Sequence, residues 1–253
     1  TPPSRPNRIR VFLLGGQSNA DGRAAPSGLP TSPVNLQQAQ EDVDFYVGST
    51  LAPLQPGAEF GPEITLGRGL ADGLGSGDGS RIAIIRYAVG GTDLKSDWKA
   101  GGDASTSSDG SRYVTFQQTV NNGLAALADA YPGITIEIDG MVWVQGEKDA
   151  RNLDHAEYQT NLSNFIADVR LTYGAGLPFV VVRLSSGQTN LPAVGLDGVR
   201  AAQTAVVAAD PQTRLIDSDG FGLKSDNLHF DAHGQQQIGS ASAGALASFF
   251  PFP

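Results

Sequence analysis

The chain has 253 residues, a formal net charge of −9, 40% hydrophobic residues and no cysteine. A chain of this length buries a large core without disulfides, and the missing thiols exclude a cysteine nucleophile, an iron–sulfur cluster and cysteine-bound zinc. The acidic balance, without a run of Lys or Arg, argues against nucleic acid or an anionic membrane surface as partner, and no apolar stretch reaches the roughly 20 residues of a membrane span.

A polar, Pro-rich segment, Thr1–Asn7, opens the chain. Its composition is typical of the start of a mature or trimmed product rather than of a signal peptide, so we expect a secreted or periplasmic protein. No internal repeat and no linker interrupt the sequence. We therefore expect a single domain over residues 1–253.

Five short runs rich in Val, Ile and aromatic residues recur along the chain, and each predicts a strand buried on both faces. They are Ile9–Leu14, Arg81–Tyr87, Ile138–Val144, Phe179–Leu184 and Arg214–Asp217. Helical patterns lie between and after them, at Pro62–Leu74, Phe116–Ala130, His155–Tyr173, Gly198–Ala209 and Gly234–Phe249. The alternation predicts an α/β fold, a three-layer α/β/α sandwich with a central five-stranded parallel sheet.

Two long segments do not fit the alternation. Residues 24–60 contain five prolines, and residues 92–112 hold a Gly/Ser/Asp-rich tract together with Trp98. Long loops in a compact domain are often functional. Ligands of open α/β sheets bind outside the carboxyl ends of the strands, so candidate site residues are sought directly after each predicted strand.

The first such segment contains Ser18, which follows Gly15, Gly16 and Gln17. Two glycines permit a tight turn that lifts the hydroxyl above the sheet edge, and a helix behind it would aim backbone N–H groups at whatever the serine attacks. The alternative is a helix N-cap. Phosphate-binding and dinucleotide-binding loops fit poorly, because their glycine and lysine patterns are missing from this turn.

Three histidines are candidates for a general base, at positions 155, 229 and 233. Asp226 precedes His229 by three residues, close enough in a turn to accept the Nδ1–H bond and leave Nε2 free for a nucleophile. A loop hydrogen bond without chemistry is one alternative. A metal site of His229, Asp231 and His233 is another, although neither a zinc-hydrolase pattern nor a calcium-loop pattern supports it.

Two further segments could supply hydrogen-bond donors. The Gly90-Gly91 pair after the second strand could present an N–H group to a developing oxyanion, or could simply form a tight turn. Gln145, after the third strand, is either a third donor or a buried amide that ties loops together. Glu147 and Asp149 are expected to fix loops rather than to act as acids.

Together these residues resemble the SGNH hydrolases, and more closely the branch that contains carbohydrate esterase family six and sialate O-acetylesterase-like proteins. Four motifs carry the resemblance, and they stand in order along nearly the whole chain. They are Gly-Gln-Ser-Asn at 16–19, Gly-Gly-Thr at 90–92, Trp-Val-Gln-Gly-Glu at 143–147 and Asp-x-x-His at 226–229. The resemblance implies an SGNH/flavodoxin-like fold.

The resemblance also implies roles for individual residues. Ser18 would be the nucleophile, His229 the general base and acid, and Asp226 the carboxylate that orients His229. The oxyanion hole would consist of the N–H groups of Ser18 and Gly91 and the side chain of Gln145. No metal and no organic cofactor is implied.

The implied reaction is removal of O-acetyl groups from a polysaccharide or its oligomers, with acetylated xylan as first expectation and acetylated sialic acid as second. Arg23 and Trp98 flank the predicted site and are candidate substrate-binding residues, with Trp98 stacked on a sugar ring. Their alternatives are a salt bridge for Arg23 and packing for Trp98. Two other classes stay open: a catalytically silent carbohydrate-binding protein on this scaffold, and a metal-dependent hydrolase.

Overall fold

The computed structural model describes residues 6–75, 79–102 and 105–250, and most of the Pro-rich opening segment lies outside the described residues. These residues form one seven-stranded sheet covered by helices on both faces. The strands are β1 (Arg8–Gly16), β2 (Gln40–Val47), β3 (Thr50–Leu54), β4 (Arg81–Ala88), β5 (Thr135–Val144), β6 (Phe179–Val182) and β7 (Thr213–Ile216). The α-helices are α1 (Ser18–Asp21), α2 (Glu63–Leu70), α3 (Ser111–Ala130), α4 (Glu147–Asn152), α5 (His155–Tyr173), α6 (Ala193–Ala208) and α7 (Ala232–Ala247).

The sheet order is β3-β2-β4-β1-β5-β6-β7, and β3 alone of these strands runs antiparallel to its neighbour. The predicted α/β sandwich with a parallel central sheet is confirmed, and its five strands correspond to β1, β4, β5, β6 and β7. The strand count was wrong, because β2 and β3 fall in the Pro-rich segment that was expected to be a loop.

Side chains of β1 alternate between two apolar layers. Val11 and Leu13 pack with aromatic residues of α3 and α5, whereas Phe12 and Leu14 pack with α2 and α7 on the opposite face. A strand covered on both sides carries no polar alternation, which is why the apolar runs identified the central strands. No helix in the described ranges is both long and apolar enough to cross a membrane.

Candidate active site

The turn after β1 places Ser18 at the carboxyl edge of the sheet. Gly16 has a φ of 143°, and a side chain there would bring Cβ to 2.1 Å from the carbonyl oxygen of Val144, so only glycine permits this approach of β1 to β5. The backbone N–H of Gln17 then donates to that same carbonyl oxygen at 3.0 Å. Ser18 begins α1 directly behind this turn and is 7% exposed.

His229 reaches Ser18 from the segment between β7 and α7. Its Nε2 lies 3.0 Å from Ser18 Oγ, and its Nδ1 lies 2.7 Å from Asp226 Oδ2. The other oxygen of Asp226 accepts the backbone N–H groups of Leu228 and His229, each at 2.9 Å. Asn227, between them, adopts a left-handed φ of 50° that closes the turn.

Asp226 is held as a carboxylate. Burial opposes its ionisation, but the hydrogen bonds from the His229 side chain and from two backbone N–H groups outweigh that effect and lower its pKa to about 2. An ionised Asp226 accepts the Nδ1–H bond and favours the tautomer in which Nε2 is free to take a proton from Ser18. This is the arrangement that serine nucleophiles require.

A buried polar cluster fixes the backbone on either side of His229. Asn19 accepts the N–H of Phe230 at 3.0 Å and donates to the carbonyl oxygen of Leu228 at 3.2 Å. Gln188 donates to that carbonyl oxygen as well, at 2.8 Å. Both amides also donate to one oxygen of Glu147, whose pKa is raised by burial against the opposing effect of these bonds.

Ser18 and His229 open onto a cleft of 330 Å³. The cleft is also lined by Gln17, Arg23, Gly90, Gly91, Glu147, Lys148, Arg151 and Leu228. Gly91 has a φ of 73°, and a side chain on Gly90 would lie 3.4 Å from Ser18 Cβ, so the loop after β4 passes close to Ser18. The turn after β1 and the loop after β4 therefore both border the cleft next to Ser18.

Gln145 is placed beneath the cleft rather than in it, so its assignment as an oxyanion donor is wrong for this geometry. The side chain is fully buried, and its Nε2 donates to Asp149 Oδ2 at 2.6 Å and to the carbonyl oxygen of Thr92 at 3.1 Å. An amide nitrogen has two protons, and both are used here. The alternative interpretation, a buried amide that ties loops together, describes the contacts.

Trp98 is also misassigned. It is fully buried, its Nε1 donates to Thr92 Oγ1 at 2.9 Å, and its ring centroid lies 5.0 Å from that of Trp143. A ring enclosed by other aromatic residues cannot stack on a sugar. Arg23, in contrast, does line the cleft, where it is held by a salt bridge of 2.6 Å to Asp21.

The three candidate metal ligands near the C-terminus do not share a centre. His229 faces Ser18 and Asp226, whereas Asp231 caps α7 by accepting the N–H of Gly234 at 2.8 Å. Within the described ranges no group of three His, Asp or Glu side chains is arranged to hold a metal ion.

Three cleft residues escaped the sequence interpretation: Gln17, Lys148 and Arg151. Gln17 stands inside the Gly-Gln-Ser-Asn motif, so its position was visible, but a buried amide next to a serine gives no sign of which way it points. Lys148 and Arg151 lie on α4, a helix of six residues that is too short to show an apolar period.

A family model for carbohydrate esterases, described as sialic acid-specific acetylesterase, matches residues 8–248. The chain belongs to this family. As a member of the sialic acid-specific acetylesterase family, it is a carboxylic ester hydrolase of the carbohydrate esterase class. The predicted resemblance is confirmed.

Individual relatives agree with the family match. The chain is 26% identical to a probable carbohydrate esterase of Arabidopsis thaliana over 272 residues, which cover 98% of this chain and 93% of the relative. A solved structure of an Arabidopsis thaliana protein has a TM-score of 0.75 at 22% identity, covering 97% of this chain and 100% of that one. A carbohydrate acetylesterase from Xanthomonas citri has a TM-score of 0.61 at 19% identity, covering 93% and 55% respectively. The two structures share this family member's fold.

Proposed function

We propose that this chain is a serine-dependent carbohydrate O-acetylesterase that uses Ser18 as nucleophile, His229 as general base and acid, and Asp226 as orienting carboxylate. The observation that carries the proposal is the chain of two contacts through one imidazole, 3.0 Å to Ser18 Oγ and 2.7 Å to Asp226 Oδ2. Family membership supports an ester as the substrate, and the contacts of His229 support Ser18 as the nucleophile.

In the proposed reaction, Ser18 Oγ attacks the acetyl carbon while its proton passes to His229 Nε2. The carbonyl electron pair moves onto oxygen, where the N–H groups of Ser18 and Gly91 stabilise the charge. Collapse breaks the bond to the sugar oxygen, which takes the proton from His229. Water, deprotonated by the same imidazole, then attacks the acetyl carbonyl carbon; the bond to Ser18 Oγ breaks, acetate leaves, and Oγ takes the proton back from His229.

The first substrate we propose is acetylated xylan. A cleft that is open to solvent, rather than an enclosed apolar tunnel, suits an acetyl group on a polymer, since acetyl is small and the sugar remains outside. A polymeric substrate would also place the enzyme outside the cytoplasm, so we propose a secreted or periplasmic protein, which fractionation of the source cells would test.

Acetate release from p-nitrophenyl acetate and from acetylated xylan tests this function. We expect wild-type protein and Ser163→Ala, a serine on the exposed face of α5, to be equally active, and Ser18→Ala to lose at least about 10³-fold in kcat. Activity should survive EDTA. Activity that is independent of Ser18 would overturn the mechanism, and activity lost with EDTA and restored by zinc would favour the metal-dependent alternative. Absence of Ser18-dependent activity on any acetyl ester would favour a carbohydrate-binding protein.

Acetylated sialic acid is the second candidate substrate, and the cations at the cleft favour it. Lys148 and Arg151 line the cleft, and neither is paired with a carboxylate in the described part of the chain; Arg151 donates to Asn190 Oδ1 at 2.8 Å. Most other arginines are ion-paired, as Arg68, Arg81 and Arg200 are. Two unpaired cations beside an ester site suit a sugar that bears a carboxylate.

Variants of these cations separate the two substrates. We expect Lys148→Ala and Arg151→Ala each to raise KM for acetylated sialic acid roughly ten-fold. Neither variant should change KM for acetylated xylan. Lys99→Ala, which removes an exposed cation outside the cleft, is the matched control. Equal effects on both substrates would remove the reason for preferring an acidic sugar.

A further inference from the structure

The turn that carries Asp226 and Asn227 is exposed, so its position depends on hydrogen bonds from other segments. The side chain of Asp226 is 41% exposed, and Asn227 is exposed as well. In the described ranges, the hydrogen bonds that reach these two residues from outside the turn, residues 224–229, all come from Asn190. Its backbone N–H donates to the carbonyl oxygen of Asn227 at 3.3 Å, and its Nδ2 donates to that of Asp226 at 2.9 Å. Asn190 therefore holds this turn against the segment after β6.

The orientation of the Asn190 amide is determined by its two partners. Arg151 donates through its guanidinium to Asn190 Oδ1 at 2.8 Å, and an arginine side chain has donors only. A carbonyl oxygen accepts only, so the NH₂ group of Asn190 must face Asp226. Since Arg151 lines the cleft, this amide connects a cation of the cleft to the turn.

The two ends of the turn are held by different residues. Asn19 and Gln188 fix the backbone at the His229 end, because both donate to the carbonyl oxygen of Leu228. Neither amide has a hydrogen bond to Asp226 in the part of the chain that the structure describes. The distance of 2.7 Å between Asp226 Oδ2 and His229 Nδ1 therefore depends on a separate contact at the Asp226 end.

Resting on the proposed function, we propose that Asn190 is a positioning residue that keeps the Asp226 carboxylate within hydrogen-bonding distance of His229. The turn passes through Asn227 at a φ of 50°, a left-handed conformation that costs free energy, so the loss of an outside contact lets the turn relax. Asp226 then stabilises the imidazolium less, although Ser18 and the cleft are unchanged. Asn190 does not line the cleft and acts only through Asp226.

Two replacements of Asn190 test this role. Asn190→Ala removes the amide, and Asn190→Asp keeps an oxygen for Arg151 but has no N–H for the carbonyl oxygen of Asp226. We expect both to lower kcat on p-nitrophenyl acetate about five- to ten-fold, the effect of one lost hydrogen bond, with KM within about two-fold of wild type. Thr189→Ala is the control, because Thr189 is the exposed neighbour on the same segment. The melting temperature reports whether each variant folds.

A double-mutant cycle separates the positioning of Asp226 from a general structural role. Asp226→Ala removes the carboxylate but retains the backbone carbonyl that accepts from Asn190. We expect Asn190→Ala to lower kcat less than about two-fold in the Asp226→Ala protein, after subtraction of the Ser18→Ala rate, because no carboxylate remains to be positioned. A loosened segment or a partly unfolded protein would lower kcat by the same factor in both backgrounds.

The outcomes distinguish this inference from the function on which it rests. Equal losses in the two backgrounds would overturn the positioning role, and so would an undiminished kcat in either Asn190 variant. A loss that occurs only where Asp226 is present would support it. Activity that survives Ser18→Ala would instead overturn the proposed function, and full activity in Asp226→Ala would overturn both.

Discussion

At the scale of single residues, the charge of Asp226 determines what His229 can do. With a pKa of about 2, Asp226 is a carboxylate at any pH above roughly 3, and in the proposed mechanism it stabilises the imidazolium that forms when Ser18 loses its proton. A neutral amide in the same place keeps the shape but not the charge. The hydrogen bond alone is therefore an incomplete substitute.

We predict that Asp226→Asn lowers kcat by about 10²- to 10⁴-fold with little change in KM, because the charge acts in the transition state. Steady-state rates on p-nitrophenyl acetate between pH 5 and pH 8 measure this. The loss should persist across that range, since Asp226 does not titrate within it. Asp217→Asn, at an exposed position paired with Arg183, is the control. A variant within three-fold of wild type would contradict the orienting role.

Glu147 is connected to His229 indirectly, through Asn19 and Gln188. Its pKa is raised by burial, and a single oxygen accepts from both Asn19 and Gln188, so the bonds that fix the backbone of His229 require an acceptor rather than a charge. Glutamine supplies an oxygen of the same reach. Alanine leaves two buried amides without their partner.

We predict that Glu147→Gln retains at least ten times the kcat of Glu147→Ala, because only the alanine variant frees Asn19 and Gln188 from their shared acceptor. Thermal unfolding should rank the two variants in the same order. If both replacements abolish turnover equally in folded protein, the negative charge of Glu147 is needed, and its place in the mechanism is closer to that of Asp226.

At the scale of elements, the loop after β4 is held to α4 by Asp149. Both the backbone N–H of Leu94, at 3.0 Å, and the Gln145 amide, at 2.6 Å, donate to its Oδ2. Burial raises the pKa of Asp149 to about 6, although these hydrogen bonds act in the opposite direction. The loop that carries Gly90 and Gly91 thus depends on a carboxyl group that titrates near neutral pH.

The sign of its effect on stability follows from the direction of the shift. The folded state holds the proton more tightly than the unfolded state, so the free energy of unfolding falls as the pH rises from about 4 to about 6. The substitution Asp149→Asn would keep one oxygen for both donors and would remove the titrating group.

We compare the free energy of unfolding of Asp149→Asn with that of wild type at pH 4 and at pH 7. We predict that the difference shifts by roughly 1–3 kcal/mol in favour of Asp149→Asn between pH 4 and pH 7. Urea unfolding of both proteins at the two pH values measures this difference, and comparing differences cancels any constant cost of the substitution. A gap between the two proteins that does not change with pH would show that Asp149 keeps an ordinary pKa.

At the scale of the whole molecule, the sequence predicted what buried apolar runs and turn residues encode. The five central strands were found because both of their faces are covered. β2 was missed because Glu41, Asp42 and Asp44 interrupt its apolar character. Asp44 is buried in the sheet as the partner of the Arg81 guanidinium, at 2.6 Å. β3 is an edge strand that contains Pro53, which reads as a loop.

The candidate site, like the fold, could be predicted from the sequence only in part. Ser18, His229 and Asp226 could be proposed from residue type and place in the alternation, since the carboxyl ends of parallel strands meet at one edge. The directions of Gln17, Gln145 and Trp98 could not, because a side chain beside a turn faces either cleft or core according to partners distant in sequence. The Gln145 amide, for example, is held by Asp149 and by the carbonyl oxygen of Thr92, which is 53 positions away in the sequence.

The assembly of this site from distant parts makes a prediction for the whole chain. Ser18 and His229 are 211 positions apart and meet at the carboxyl edge of a sheet whose two faces are covered by apolar layers. The contact therefore exists only when β1, β4, β5 and the segment after β7 are packed together. We predict that ester hydrolysis and far-ultraviolet circular dichroism are lost at the same urea midpoint, in one transition. Activity lost well below the spectroscopic midpoint would show that the His229 segment detaches from a sheet that remains folded, and the buried contacts of Asn19 and Gln188 would then be weaker than their geometry indicates.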